Sequence, residues 1–264
     1  MKKILTIAGS DCSGGAGIQA DLKTFSAHGH YGMSVITALT AQNTTGVYGV
    51  VDMTPDFVTQ QITCIFEDIM PDSVKIGMVS SAPLIEAIAT TLRANSPNYL
   101  VIDPVMVSTS GSRLLSEDAM EALITKLLPL ATVITPNIAE AEALTGITIK
   151  NKENMIEAAK NISASLPVAI LIKGGHLENC ADDLLYHKGT ITWFSSMRID
   201  NPNTHGTGCT LSSAIASNLA EGMTLKISIQ KAKDYISGAL KDGLNLGSGS
   251  GPLNHHFQIH PSNE

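Results

Sequence analysis

Val168-Ala169-Ile170-Leu171-Ile172-Lys173-Gly174-Gly175-His176 is five apolar residues in a row, then a lysine, two glycines and a histidine. A strand with one wet face alternates apolar and polar residues. One that is apolar at every position is covered on both faces, as in a parallel sheet held between helices. Comparable short runs predict strands at Lys3 to Ala8, Ser34 to Thr40, Ser73 to Ile76, Tyr99 to Ile102 and Thr132 to Ile134. A more polar pair, Asp183 to His187 and Ile191 to Phe194 with Lys188-Gly189 between, reads as an edge hairpin. Helical patterns fill Ala16 to Ala27, Pro55 to Ile69, Ala82 to Ala94, Glu117 to Leu127, Ile138 to Leu144, Glu153 to Ser163, Thr210 to Ala220 and Leu225 to Leu244. Thr54-Pro55 and Ser116-Glu117 are typical helix starts. The alternation predicts an α/β fold with a mostly parallel central sheet flanked by helices. With no repeat, low-complexity tract or linker, residues 1–264 read as a single domain, and the tail after about residue 247 reads as mostly loop.

Composition narrows the function. The 264 residues are 44% apolar and 16% charged, ordinary for a globular chain of this size. A net charge of −7 without any Lys/Arg block argues against a nucleic-acid or anionic-membrane partner, since either needs a positive surface. Met1-Lys2-Lys3 and about five apolar residues precede Gly9, too few for a secretory leader or a membrane span. Cys12, Cys64, Cys180 and Cys209 show no CxxC spacing, so reduced thiols in a cytoplasmic protein are expected.

Ligands of open α/β sheets gather beyond the carboxyl ends of the strands, so the segment after each strand carries the functional signal. Asn203-Thr204-His205-Gly206-Thr207-Gly208-Cys209-Thr210 places two glycines before a smooth helical pattern. The first amides of a helix lack intrahelical partners and carry partial positive charge, which suits an anion, although such an element also occurs as a plain tight turn. The first strand leads into Gly9-Ser10-Asp11-Cys12-Ser13-Gly14-Gly15-Ala16-Gly17, which matches neither GxxxxGK[ST] nor GxGxxG. Close approach of backbone to a ligand and a structural turn are both compatible with it. Asp103-Pro104-Val105-Met106 puts a carboxylate where Mg²⁺ could be held, followed by a small-residue loop from Val107 to Ser112. Thr135-Pro136-Asn137 precedes Glu140 and Glu142, which suit either a metal or helix capping. Lys173, at a strand end beside two glycines, could reach a phosphate.

In order, Ala8-Gly9-Ser10-Asp11 with Ser13 to Asp21, Thr40-Ala41-Gln42-Asn43-Thr44, Asp103 to Met106, Thr135-Pro136-Asn137 with Glu140 and Glu142, Lys173 to His176 and His205 to Thr210 resemble the hydroxymethylpyrimidine/phosphomethylpyrimidine kinases of thiamine biosynthesis. The likeness runs from about residue 3 to Phe257. It implies a ribokinase-like three-layer sandwich, a homodimer and ATP-dependent phosphorylation of 4-amino-5-hydroxymethyl-2-methylpyrimidine, then of its monophosphate. It further implies that Gln42 and Asp21 hydrogen-bond the aminopyrimidine, with Gly9, Met78 and Val105 lining its pocket. Glu140 and Asp103 would hold Mg²⁺, and Lys173, Asn137 and Thr207 the nucleotide. Gly206, Thr207, Gly208 and Cys209 would surround the transferring group with Lys173. At Cys209 much of the superfamily has an aspartate base. A thiol at a helix start could serve as a base with a lowered pKa, or its near-neutrality could let it tolerate a phosphate acceptor.

The chain departs from the family pattern at Ser108-Thr109-Ser110-Gly111, where Ala-Lys-Ser-Gly is expected, so a basic contact from that loop would have to come from Arg113. Pyridoxal kinase is the nearest rival; Gln42, a planar donor and acceptor, fits an N/NH₂ edge better than a pyridine aldehyde. A non-catalytic nucleotide-binding module is the other alternative, against which Lys173, Glu140 and Cys209 all stand. His28, His30, His255 and His256 form no ligand-spaced set, and His205 and His176 have no assigned role.

Overall fold

The computed structural model of the chain describes residues 1–106, 115–175, 181–196 and 198–259. The segment from Val107 to Ser112, Arg113, His176 and Cys180 lie outside the described residues. Among those described, nine strands form one sheet in the order β3-β2-β1-β4-β5-β6-β7-β8-β9. They are β1 (Lys3–Asp11), β2 (Tyr31–Asn43), β3 (Gly46–Asp52), β4 (Ser73–Ile76), β5 (Leu100–Ile102), β6 (Val133–Ile134), β7 (Ala169–Ile172), β8 (Asp183–His187) and β9 (Thr190–Phe194). The run from β2 through β7 is parallel, and antiparallel partners close both edges. The chain leaves β1 in one direction to β2 and returns on its other side at β4. This reversal opens a crevice at the carboxyl end of β1, where ligands of such sheets sit.

Successive side chains of a strand point to opposite faces, and the apolar runs divide accordingly. Leu5, Ile7, Val74, Ile76, Ile102, Ile134, Ile170 and Ile172 join one buried cluster with helices α2 (Pro55–Asp68), α3 (Ala82–Asn95), α4 (Glu117–Ala122), α5 (Ile138–Thr145) and α6 (Lys152–Ser165). Ile4, Val101, Val133, Ala169 and Leu171 join the other, with α1 (Gly17–Ala27), α7 (Thr207–Ala220) and α8 (Leu225–Asp242). The three layers follow directly from strands that are apolar on both faces.

Two expectations change. The segment Gly46–Asp52 had no predicted element, yet it is a strand that pairs with the end of β2 and leaves Val47, Tyr48, Val50 and Val51 exposed. The expected helix from Glu117 to Leu127 keeps α-helical bonding only to Ala122. It widens to π-type bonding over Leu123–Leu127 and then tightens over Leu128–Leu130, where Pro129 has no N–H to donate. The described part of the tail, from Gly247 to Ile259, carries neither helix nor strand, but it is packed: Leu253 and His255 are buried, and the Gly251 N–H donates to Asn203 Oδ1 at 3.1 Å.

Candidate active site

Gly206 precedes helix α7 in the left-handed region at φ 82°, where a Cβ would overlap the Gly15 carbonyl, and a Cβ on Gly15 would meet the His205 ring, so these two glycines let the two loops touch. No side chain caps this end of α7, which leaves the Gly208 and Cys209 amides without intrahelical partners. The helix starts three residues earlier than its apolar pattern predicts, because Thr207, Gly208 and Cys209 belong to its first turn. The turn is tied to the β1 loop through His205, whose Nε2 lies 3.1 Å from Asp11 Oδ2. Asp11 also accepts from the Ser13, Gly15 and Ala16 amides. Burial alone would raise its carboxyl, but His205, Ser13 and Ala16 outweigh burial and hold it far below the ordinary range.

Strand parity brings charged groups under that helix end. The row that contributes Val101, Val133 and Leu171 to the α7 side of the core continues, two residues on, as Asp103, Thr135 and Lys173. Asp103 Oδ1 accepts from Thr135 Oγ1 at 2.9 Å and from Lys173 Nζ at 2.7 Å. A Cβ on Gly208 would come within 3.2 Å of Asp103 Oδ2 and 3.3 Å of Lys173 Nζ, so the helix backbone passes directly over this pair. Burial works against the Lys173 charge, but Asp103 and Glu140 outweigh it and keep the ammonium firmly protonated. Beyond Lys173 the chain is fixed by the Gly174 N–H donating to Asp183 Oδ1 at 2.9 Å, with Asp183 held by Lys233.

Asn137 and Glu140 form a reciprocal capping box at the start of α5: Glu140 N donates to Asn137 Oδ1 and Asn137 N to Glu140 Oε2. The Asn137 side-chain oxygen is therefore committed to the helix. Glu140 is only 3% exposed, and burial pushes its carboxyl up to about 7, with Lys173 pulling it down and Asp103 adding repulsion. Two neighbouring carboxylates facing one lysine favour a further cation, so this donor set fits a divalent ion that completes its shell with phosphate oxygens and water. Among the described residues no group of three or more His, Cys, Asp or Glu side chains is arranged to hold a metal by itself.

Met78 and Gly9 meet in the crevice beside β1, where a Cβ on Gly9 would lie 2.7 Å from Met78 Cε. Val105 is half-buried just past β5. Gln42, near the end of β2, is half-buried, and its side-chain amide has no hydrogen-bond partner among the described residues. Thus Gly9, Met78, Val105, Asp103, Lys173, Gln42 and the α7 entry all stand at the carboxyl rim of the parallel strands.

The family model for phosphomethylpyrimidine kinase matches residues 11–254. This chain is a member of the phosphomethylpyrimidine kinase family. It is 51% identical over 257 residues to the hydroxymethylpyrimidine/phosphomethylpyrimidine kinase of Rhizobium meliloti, covering 96% of each chain. A crystal structure of phosphomethylpyrimidine kinase from Clostridium difficile is 51% identical with a TM-score of 0.81, covering 90% of this chain and 98% of that one. An ADP complex of Bacillus subtilis pyridoxal kinase superposes with a TM-score of 0.90 at 40% identity, over 98% of this chain and 100% of that one. The architecture is accordingly the ribokinase-like three-layer sandwich, and the chain is a kinase.

One residue of the family pattern sits differently from the expectation. Asp21 was expected at the aminopyrimidine, but its side chain is fully enclosed between sheet and helices. It accepts from Lys75 Nζ at 2.8 Å on both oxygens, from Thr6 Oγ1 at 2.6 Å and from Ser213 Oγ at 2.7 Å. Those donors occupy the carboxylate, so Asp21 anchors α1 and α7 to β1 and β4 and has no open face for a ligand. Lys75, equally enclosed, was not singled out in the sequence, although a lysine inside the short strand Ser73-Val74-Lys75-Ile76 is itself the signal. Ser213 lies one turn beyond Cys209 on α7, which puts the ion pair beneath the thiol. Burial pushes the Cys209 thiol up, Lys75 pulls it down, and Asp21 and Asp103 push it up again. The net direction is upward, so at neutral pH Cys209 is a thiol and not a thiolate.

Proposed function

We propose that this chain transfers the terminal phosphate of ATP to the hydroxymethyl group of 4-amino-5-hydroxymethyl-2-methylpyrimidine, and then to the resulting monophosphate. The observation that carries this reading is the meeting of Lys173, Asp103 and the uncapped α7 amides around Gly208 at the rim where Gln42 presents an amide that has no partner among the described residues. Phosphoryl transfer needs alignment and neutralisation of negative charge more than covalent help, and a lysine with helix-end amides supplies both. Gly208 leaves room for phosphate oxygens beside the α7 amides, Gly206 forms the turn that presents those amides, Lys173 bears on the nucleotide phosphates, and Thr207 borders the same cradle. Asn137 contributes by holding Glu140 in place. Mg²⁺ bound at Asp103 and Glu140 would draw negative charge from the phosphate oxygens.

Gln42 can donate to a ring nitrogen and accept from the exocyclic amine of an aminopyrimidine, with Gly9, Met78 and Val105 shaping the apolar floor. The neutral Cys209 thiol next to the acceptor suits both steps. It can take a hydrogen bond from an alcohol, and it does not repel a phosphate already ionised near neutral pH. Two copies pairing over the exposed β2–β3 ribbon, with Leu39, Val47, Tyr48, Val50 and Val51, would account for apolar side chains left in water on both faces of that ribbon. A cytoplasmic setting agrees with the absence, among the described residues, of a helix long and apolar enough to cross a membrane.

The test is ADP release measured with the hydroxymethylpyrimidine, its monophosphate and pyridoxal as separate acceptors, with and without Mg²⁺. Turnover of both pyrimidines ahead of pyridoxal is the expected result. A higher kcat/KM for pyridoxal would transfer the assignment to that vitamin, and nucleotide binding without turnover would make the chain a binding module.

A further inference from the structure

The parallel ladder between β1 and β2 ends at Asp11 opposite Thr40. Two residues further along β2, Gln42 has no backbone partner on that side among the described residues, because β1 has turned into the glycine-rich loop. On its other side the β2–β3 register shifts between Ala41 and Gln42, a local irregularity that loosens the pairing. The open position is taken by a side chain. Cys12 Sγ donates to the Gln42 carbonyl at 3.1 Å and accepts from the Gln42 N–H at 3.3 Å. One sulfur atom thus does what the next peptide group of β1 would have done. The hairpin beyond is tethered separately, where the Gly249 N–H donates to Thr44 Oγ1 at 3.2 Å.

We infer that Cys12 is a positioning residue for acceptor recognition: by bracketing the Gln42 backbone it sets where the Gln42 side-chain amide stands at the rim. This rests on the reading that Gln42 holds the aminopyrimidine. Cys12 itself is exposed. Its removal hands the Gln42 backbone to water without opening a cavity, so its effect falls on the placement of the amide and not on the fold. Loss of two weak hydrogen bonds of this kind corresponds to about a threefold to tenfold rise in KM for the pyrimidine.

The experiment is a kinetic cycle of Cys12→Ala, Gln42→Ala and the double variant, with KM for the hydroxymethylpyrimidine and for ATP measured separately. Hydrogen exchange of the Gln42 amide provides a readout independent of turnover, and Cys64→Ala, at an exposed cysteine of α2, is the control. The expected pattern has four parts: a raised pyrimidine KM in Cys12→Ala, an ATP KM that does not follow it, faster exchange at Gln42, and a double variant no worse than Gln42→Ala. If the two substitutions add independently, or Cys12→Ala leaves pyrimidine KM and exchange where they were, the inference fails while the role of Gln42 survives. If Gln42→Ala itself leaves the pyrimidine KM unmoved, the underlying reading of Gln42 falls and takes the inference with it.

Discussion

Replacing Lys75 with methionine removes one ammonium and little volume, yet it should be among the most damaging single changes to the fold. Asp21 and Lys75 are both 0% exposed, and in the variant the carboxylate keeps only the Thr6 and Ser213 hydroxyls as donors. Breaking a buried pair from one side typically costs 3–5 kcal/mol, because the remaining charge stays out of water without its counterion. We take about 4 kcal/mol, which at roughly 2 °C per kcal/mol for a chain of this size lowers the melting temperature by about 8 °C. Asp21→Asn strands the ammonium instead and should cost a similar amount. The double variant leaves no buried charge, so it should recover most of the loss and lie within about 2 kcal/mol of the parent. Urea midpoints with unchanged slopes, read alongside the melts, decide the matter. If the double variant is as unstable as the two singles summed, the pair is not the unit that ties α1 and α7 to the sheet, and the account of Asp21 is wrong.

Gly208→Ala should keep or slightly raise the melting temperature, since alanine favours helix, while turnover drops at least about tenfold because the methyl group enters the space over Asp103 and Lys173. Glu140 yields a pH dependence with a definite sign. Its carboxyl is raised from the ordinary 4.5 to about 7, so the folded protein holds a proton that the unfolded chain releases between those values. That contribution is complete below pH 4.5 and is lost as pH rises through 7, on the order of 3 kcal/mol by pH 8.5. Urea midpoints of the parent should fall relative to those of Glu140→Gln over this range, since His28, His30 and His255, all held below the ordinary histidine range by burial, titrate alike in both, and Mg²⁺ at pH 8.5 should stabilise the parent more than the variant; parallel profiles would remove the argument. Cys209→Asp should harm phosphorylation of the monophosphate at least about tenfold more than that of the alcohol, because a fixed carboxylate repels an anionic acceptor. Equal losses in separate assays of the two steps would contradict it.

The central strands were legible because burial on both faces leaves continuous apolar runs, as in Val133-Ile134 and Ala169–Ile172. Strand β3 was not, since Gly46–Asp52 mixes two glycines with exposed valines, and no burial pattern distinguishes it from a loop. The site was readable wherever chemistry sits on a strand end, as for Asp103 and Lys173. It was unreadable where partners are remote: nothing near Asp11 announces His205, which is 194 positions away. Lys75 was passed over because lysines are normally solvated, and only the sheet on both sides of it shows that solvent is absent. The sequence left the protonation of Cys209 open in both directions, and burial decides for the neutral thiol.

The shared parity of core and site has a consequence for refolding. Were β5, β6 or β7 to pair one residue out of step, Asp103, Thr135 and Lys173 would turn toward the opposite helix layer while their apolar neighbours swapped sides. A misthreaded sheet therefore forfeits phosphate chemistry at the same moment as it spoils its interior, and enzyme activity regained after denaturation counts the correctly threaded molecules.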